Sequence, residues 1–184
     1  MQPFDSARLH FRPLTEEDAP GMLALDSDPA VHRYLGGISG GIGGGMATEL
    51  ADSQEVIRFI RGQYVANGIG RWAVLLRATG EFMGWAGLKL VAGPLNGRTR
   101  FYDLGYRFRP PFWGQGYGYE AAQAWLDYGF QTLRLPQICA YADVENRASC
   151  RILEKIGLQP GNEFIEAGVR CRWFEALAPA NVTF

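Results

Sequence analysis

Polar and apolar residues alternate through ARLHFRPL, and this period of two predicts a first strand over residues 7–13. The pattern then shifts to helix formers in TEEDAPGMLALD, with Thr15 as the expected N-cap and Asp18 three residues on. Asp28 followed by Pro29 predicts the cap and first position of a second, short helix. Asp52 and Glu55 bracket a third helix start. Val56, Phe59, Ile60 and Tyr64 form its apolar stripe, and Gly68 ends it. Strands follow in RWAVLLR, EFMGWAGLKLV and RFYDLGYRF, joined by turns at ATGE and AGPLNGR. Residues 117–132 predict a helix, 136–142 a fifth strand and 146–156 another helix. NEFIEAGVRCRWFEAL closes the chain as a hairpin turning near Ala167 and Gly168. The order is strand, helices, three antiparallel strands, helix, strand, helix, hairpin. It predicts one α+β domain with a mixed, mostly antiparallel sheet flanked by helices, not a doubly wound parallel sheet.

Composition narrows the class without naming it. The 184 residues suit one domain, and no repeat or linker splits them. A formal net charge of −1 offers no basic field for nucleic acid or an anionic membrane. The amino end lacks the apolar stretch of a signal peptide, and no apolar run is long enough to span a bilayer. Three widely spaced cysteines, Cys139, Cys150 and Cys171, give neither a disulfide framework nor a metal pair. A cytoplasmic protein with no metal, nucleic-acid or membrane partner is expected. In GGISGGIGGGM, residues 36–46, seven of eleven residues are glycine, which predicts a flexible loop or a lid over a substrate.

A second glycine cluster carries more chemistry. FWGQGYGYEAAQAW places Gly114, Gly116 and Gly118 at alternate positions, after a strand and at the start of a helix. The first N–H groups of a helix have no internal partner and face the positive end of its dipole. Glycines let an anion such as a pyrophosphate come close to them. The spacing fits neither the dinucleotide fingerprint nor the P-loop, so by itself the cluster reads first as a structural turn and second as a phosphate site.

The flanks bring in a resemblance. YDLGYRFRPPFWGQGYGYEA followed by NRASCRILEKIGL resembles the GNAT superfamily of acyl-CoA-dependent N-acetyltransferases. It is most similar to the branch that acetylates the N-terminal alanine of ribosomal proteins. The amino end and WAVLLRATGEFMGWAGL resemble the same branch, so the likeness covers nearly the whole chain. It implies a GNAT-type sheet and acetyl-CoA as co-substrate. It places the pyrophosphate on Gln115, Gly116, Tyr117, Gly118 and Tyr119, and the pantetheine arm along the preceding strand with Phe108 as backbone partner. Pro110 and Pro111 have no N–H to donate there. Trp113 stands where many members carry Gln or Arg, but Trp is common in this branch.

Ser149, Ile152, Leu153 and Ile156 share one helical face. Ser149 either bonds back to a helical carbonyl or, as the resemblance implies, faces the departing thiolate. The superfamily's usual acid, a tyrosine seven residues after the Asn, is Leu153 here. Asn146 is a helix cap or, by resemblance, a pantetheine ligand. Arg147, Arg151 and Lys155 make a basic face toward solvent or toward phosphates.

The chemistry favours one kind of acceptor. A neutral amine must attack a thioester. An α-amino group titrates near 7.7–8.0 and a lysine near 10.4, so the lysine needs about 3.5 kcal/mol more deprotonation. A site with little base equipment suits a protein N-terminal amine. Asp103, where the branch carries an acidic residue, is the candidate base, through a bridging water if needed; otherwise it is an exposed strand carboxylate. His10 and His32 are expected to be structural. Trp72, Trp85 and Tyr141 are expected in the core or along an acceptor pocket. A non-catalytic acyl-CoA-binding module is the alternative to an enzyme, and small amines or amino sugars are alternative acceptors. Oligomeric state stays open, a homodimer included.

Overall fold

The computed structural model describes residues 2–34 and 46–179. The expected loop at 36–46 therefore lies, except for Met46, outside the described residues. The elements are β1 (Phe4–Asp5), β2 (Leu9–Pro13), α1 (Ala19–Asp26), α2 (Pro29–His32), α3 (Leu50–Asn67), β3 (Arg71–Leu76), β4 (Phe82–Val91), β5 (Phe101–Phe108), α4 (Tyr117–Asp127), β6 (Gln137–Asp143), α5 (Arg147–Lys155), β7 (Gln159–Glu166) and β8 (Val169–Leu177). The eight strands form one sheet in the order β1-β2-β3-β4-β5-β6-β8-β7. Only the β5–β6 contact is parallel; the other six are antiparallel. The α+β architecture is as the residue pattern predicts.

Strand alternation gives the sheet two buried faces. Leu9, Phe11, Trp72, Val74, Met83 and Leu88 pack on one side with Ala121, Ala122, Trp125 and Leu126 of α4. Trp125 meets Trp72 edge-on, with ring centroids 5.3 Å apart. On the other side Ala73, Leu75, Phe82 and Trp85 meet Met22 and Leu25 of α1 and Ile57 and Ile60 of α3. Every second residue of β3 and β4 thus belongs to a different layer.

Some boundaries differ from the pattern, each for a local reason. β1 is only two residues long, too short to show a period; Phe4 is held by stacking on Phe11 and Tyr128. Thr15 and Asp18 make a capping box, but around a short 3-10 turn that precedes α1. α3 is capped by Glu49, with Asp52 at the third position returning the bond, so Asp52 closes the box instead of starting it. Its buried line is Ser53, Ile57 and Ile60, not Val56 and Phe59. Gly68, at φ 68°, ends α3 as expected. The helix read over 117–132 is α-helical only to Asp127; a π-turn spans Tyr128–Thr132, where the Leu133 N–H bonds the Tyr128 carbonyl.

Candidate active site

The sheet opens at its centre. β5 and β6 are paired at one position, Asp103 with Cys139. Beyond that position the two parallel strands separate, because β6 is held along its full length by β8 and β5 by β4. A cavity of about 550 Å3 occupies this opening. Leu104, Gly105, Tyr106 and Arg107 of β5 and Tyr141, Ala142 and Asp143 of β6 line its two sides. Asn146, Ser149 and Leu153 close it from α5, and Asp52, Glu55, Val56, Phe59 and Gln63 from α3. It therefore reaches both faces of the sheet. Val56 and Phe59, assigned by periodicity to a buried stripe, face this space instead.

A buried charged layer lies beneath β5. Period two places Asp103, Gly105 and Arg107 on its α3 side. Asp103 is 3% exposed, so it is not an exposed strand carboxylate. Its Oδ2 accepts from Arg71 Nη2 at 2.5 Å, and Lys89 Nζ lies 3.9 Å from the same oxygen. Arg71 Nη1 also donates to the carbonyls of Asp103 and Gly87, binding the backbones of β4 and β5 together. A side chain at Gly105 would strike the Arg71 guanidinium, which passes 2.6 Å from the position of a Cβ there. Arg107 pairs with Asp26 at 2.7 Å, and both Arg71 and Arg107 stack on Trp85. Burial pushes the Arg71 and Lys89 cations below their ordinary values, and the attraction of Asp103 opposes the shift. Asp103 Oδ1 is buried and has no hydrogen-bond partner among the described residues. A buried acceptor without a donor costs about 1–3 kcal/mol, so this oxygen is a natural place for a ligand N–H.

Across the opening, Asn146 Oδ1 accepts from the Ser149 N–H and caps α5. Its amide NH2 has no partner among the described residues and is available for a second contact. Ser149 Oγ is bonded not to a helical carbonyl but to the Tyr106 hydroxyl, 3.0 Å away. Arg147, Arg151 and Lys155 are exposed, and Lys155 lies over the Tyr119 ring. Trp72 is fully buried in the core, whereas Trp85 and Tyr141 line the cavity. His10 pairs with Asp5 on an outer strand. His32 bonds the Asp26 carbonyl and, although far away in sequence, stands in the cavity wall.

The glycine turn sits at the exit of β5, next to the cavity but not among its lining residues. Gly114 and Gly116 have φ of 72° and 81°, left-handed values that favour glycine. Among the described residues no side chain caps α4. Arg8 fixes the turn: it donates to the Gln115 carbonyl, lies over the Tyr117 ring and is tied to Glu120 at 2.7 Å. The Glu120 carboxyl also accepts from Ser6 Oγ and the Arg8 N–H. With the Gln115 carbonyl turned toward Arg8, the uncapped N–H groups of the turn are left for an outside anion. This cradle fits a diphosphate. Phe108 is the expected backbone partner of the pantetheine arm; its carbonyl already accepts from Trp113 Nε1 at 2.7 Å, and its ring is buried. The structure thus brings Asp103, Asn146 and Ser149 to one cavity and places Phe108 and residues 115–119 at its edge. Arg71, Lys89, Tyr106 and Arg107 escaped the sequence reading. The only hint was the strand period that puts Arg107 on the Asp103 face. Among the described residues no cluster of metal-ligating side chains is present, and no helix is long and apolar enough to cross a membrane.

Comparison with known proteins gives the family. The profile of the acetyltransferase (GNAT) domain matches residues 8–159. The Bacillus subtilis protein YkkB, of uncharacterised function, is 30% identical over 152 residues, 82% of this chain and 81% of its own. The FsC-acetyl coenzyme A-N(2)-transacetylase of Aspergillus fumigatus is 31% identical over 156 residues, 83% of this chain and 63% of its own. Among solved structures, RimL, a ribosomal L7/L12 α-N-protein acetyltransferase in complex with coenzyme A, superposes with a TM-score of 0.78 at 15% identity, over 98% of this chain and 100% of its own. With an opened mixed sheet, an uncapped glycine turn at the exit of its central strand and a match over most of its length, the chain belongs to the GNAT family and is an acetyl-CoA-dependent N-acetyltransferase.

Proposed function

We propose that the acceptor is a protein N-terminal amine, acetylated by direct attack on acetyl-CoA within a ternary complex. The observation that carries this is the cavity through the opened sheet. It joins the unpartnered Asp103 Oδ1 on one face to Asn146 and Ser149 on the other. The amine enters from the α3 side and donates to Asp103 Oδ1, directly or through a water. It attacks the thioester carbonyl in the opening, the C–N bond forms, and the C–S bond breaks toward α5. The amine's surplus proton leaves by way of Asp103 or solvent. Cys139, Cys150 and Cys171 are buried and none lines the cavity, so no thiol is placed to carry the acetyl group. The base equipment is modest, which suits an α-amine better than a lysine by about 3.5 kcal/mol of deprotonation. The resemblance of the sequence to the ribosomal-protein branch points to the same acceptor class. The diphosphate rests on Gln115, Gly116, Tyr117, Gly118 and Tyr119, and the Asn146 amide meets the pantetheine arm.

Thiol release from acetyl-CoA is the test, with a short peptide bearing a free N-terminal alanine, an N-blocked lysine peptide, spermidine and an amino sugar as acceptors. The expected outcome is turnover on the first peptide above the rest, falling about a hundredfold in Asp103→Asn. Turnover only on spermidine or the amino sugar would replace the acceptor class. Tight CoA binding with no turnover on any acceptor would make the chain a binding module.

A further inference from the structure

Leu153 offers no donor to a leaving group, and Ser149 alone is a flexible hydroxyl with several rotamers. The structure supplies a phenol from a different element. The Tyr106 hydroxyl, from β5, lies 3.0 Å from Ser149 Oγ and 3.4 Å from the Ser149 carbonyl. Its ring packs beside Gly118, at the start of α4. One side chain thus links the strand, the glycine-turn helix and α5.

We propose that Tyr106 is a positioning residue: its O–H donates to Ser149 Oγ and so turns the serine hydroxyl hydrogen into the cavity, toward the sulfur that leaves when the thioester breaks. This rests on the assignment of Ser149 to the leaving-group side of the site. Ser149 Oγ has no hydrogen-bond partner other than Tyr106 among the described residues. A serine oxygen that accepts from Tyr106 keeps its own proton free for an outside acceptor. Burial raises the Tyr106 phenol above its ordinary value, so it remains a donor throughout the working pH range. Cys150 is the titratable neighbour of this hydroxyl, and burial likewise keeps its thiol protonated. No proton need cross the pair. The thiolate departs with the bonding electrons of the C–S bond, is held by the serine O–H, and takes its proton from solvent.

The same hydrogen bond acts on CoA itself, so the test needs no acceptor. The thiol of bound CoA is titrated through its thiolate absorbance, against the complex with desulfo-CoA. Wild type, Tyr106→Phe, Ser149→Ala and the double variant are compared, each checked by its melting temperature. In wild type the bound thiol should titrate about one unit below free CoA, a tenfold stabilisation of the thiolate. Ser149→Ala should abolish the shift. Tyr106→Phe, which keeps the ring, should remove most of it while leaving CoA affinity within about twofold. In the Ser149→Ala background Tyr106→Phe should change nothing further. An unchanged shift in Tyr106→Phe, or an equal loss with and without Ser149, would overturn the positioning role alone. A shift that survives Ser149→Ala, or its absence from wild type, would overturn it together with the placing of Ser149. Failure of CoA to bind at all would remove the donor site itself.

Discussion

Strand β5 meets two regions of the proposed site that are made differently. At its exit, the turn at 114–118 works through backbone: two left-handed glycines, an uncapped helix start and a carbonyl held aside by Arg8. Beneath its middle, the layer of Arg71, Lys89, Asp103 and Arg107 works through buried side chains drawn from three strands. A backbone site depends on local conformation. It should lose ligand affinity before it loses stability. A buried charge layer is part of what holds the strands, so it should fail in the opposite order.

The largest expected effect breaks the charged layer. Arg71→Met leaves Asp103 buried without its arginine, and loss of one partner of a buried pair costs about 3–5 kcal/mol. Urea unfolding should show a lower midpoint with an unchanged slope. Arg71→Met combined with Asp103→Leu should recover much of the loss, since an apolar replacement of the whole pair is often close to neutral. A single-variant loss below about 1 kcal/mol would show that the layer does not hold the strands.

The glycine turn comes next, and there the order should reverse. Gly116→Val forces a β-branched residue into φ 81°, at about 1–3 kcal/mol of strain. Isothermal titration should show CoA binding weakened by about tenfold to a hundredfold. Undiminished affinity would mean that the turn does not hold the diphosphate.

The smallest effect concerns the tether that joins the turn to the outer strand. Burial pushes the Glu120 carboxyl up, but hydrogen bonds from Ser6 and Arg8 outweigh it, and the group is held below its ordinary 4.5. A carboxyl depressed in the folded state contributes stability above 4.5, and that contribution is lost as pH falls from there through the folded value. Arg8 is half-exposed, and solvent screening keeps the effect to about 1 kcal/mol or less. Glu120→Gln should flatten the stability curve below this pH in thermal melts. A wild-type curve already flat there would show that the tether contributes nothing.

Much of the fold was legible because it is local. Asp28, Gly68 and Asn146 act as the caps and stops their residue types suggest, and the period of two places β3, β4 and β5 within a residue or so. The errors fall where local signals compete. Glu49 capped α3 because Asp52 could serve as the third member of the box, and Val56 and Phe59 left the buried line because a cavity, not a sheet, lies opposite them. In the site, the glycine turn was visible because its conformation must be written in its own residues. Asp103 was singled out by position, but nothing near it in the chain marks Arg71 or Lys89 as its neighbours.

The sequence by itself determined the elements, the left-handed turn before α4 and the stripe that carries Ser149, since each depends on residues within a few positions of one another. The tertiary structure decided what those residues face. Register set Arg71 beneath Gly105 and against Asp103, and the separation of β5 from β6 made a cavity out of two strands. It also brought Tyr106 to Ser149, 43 residues away in the chain. Such partners are fixed by the packing of the whole sheet, because hydrogen bonds and ion pairs form by distance in space, which no spacing along the chain encodes.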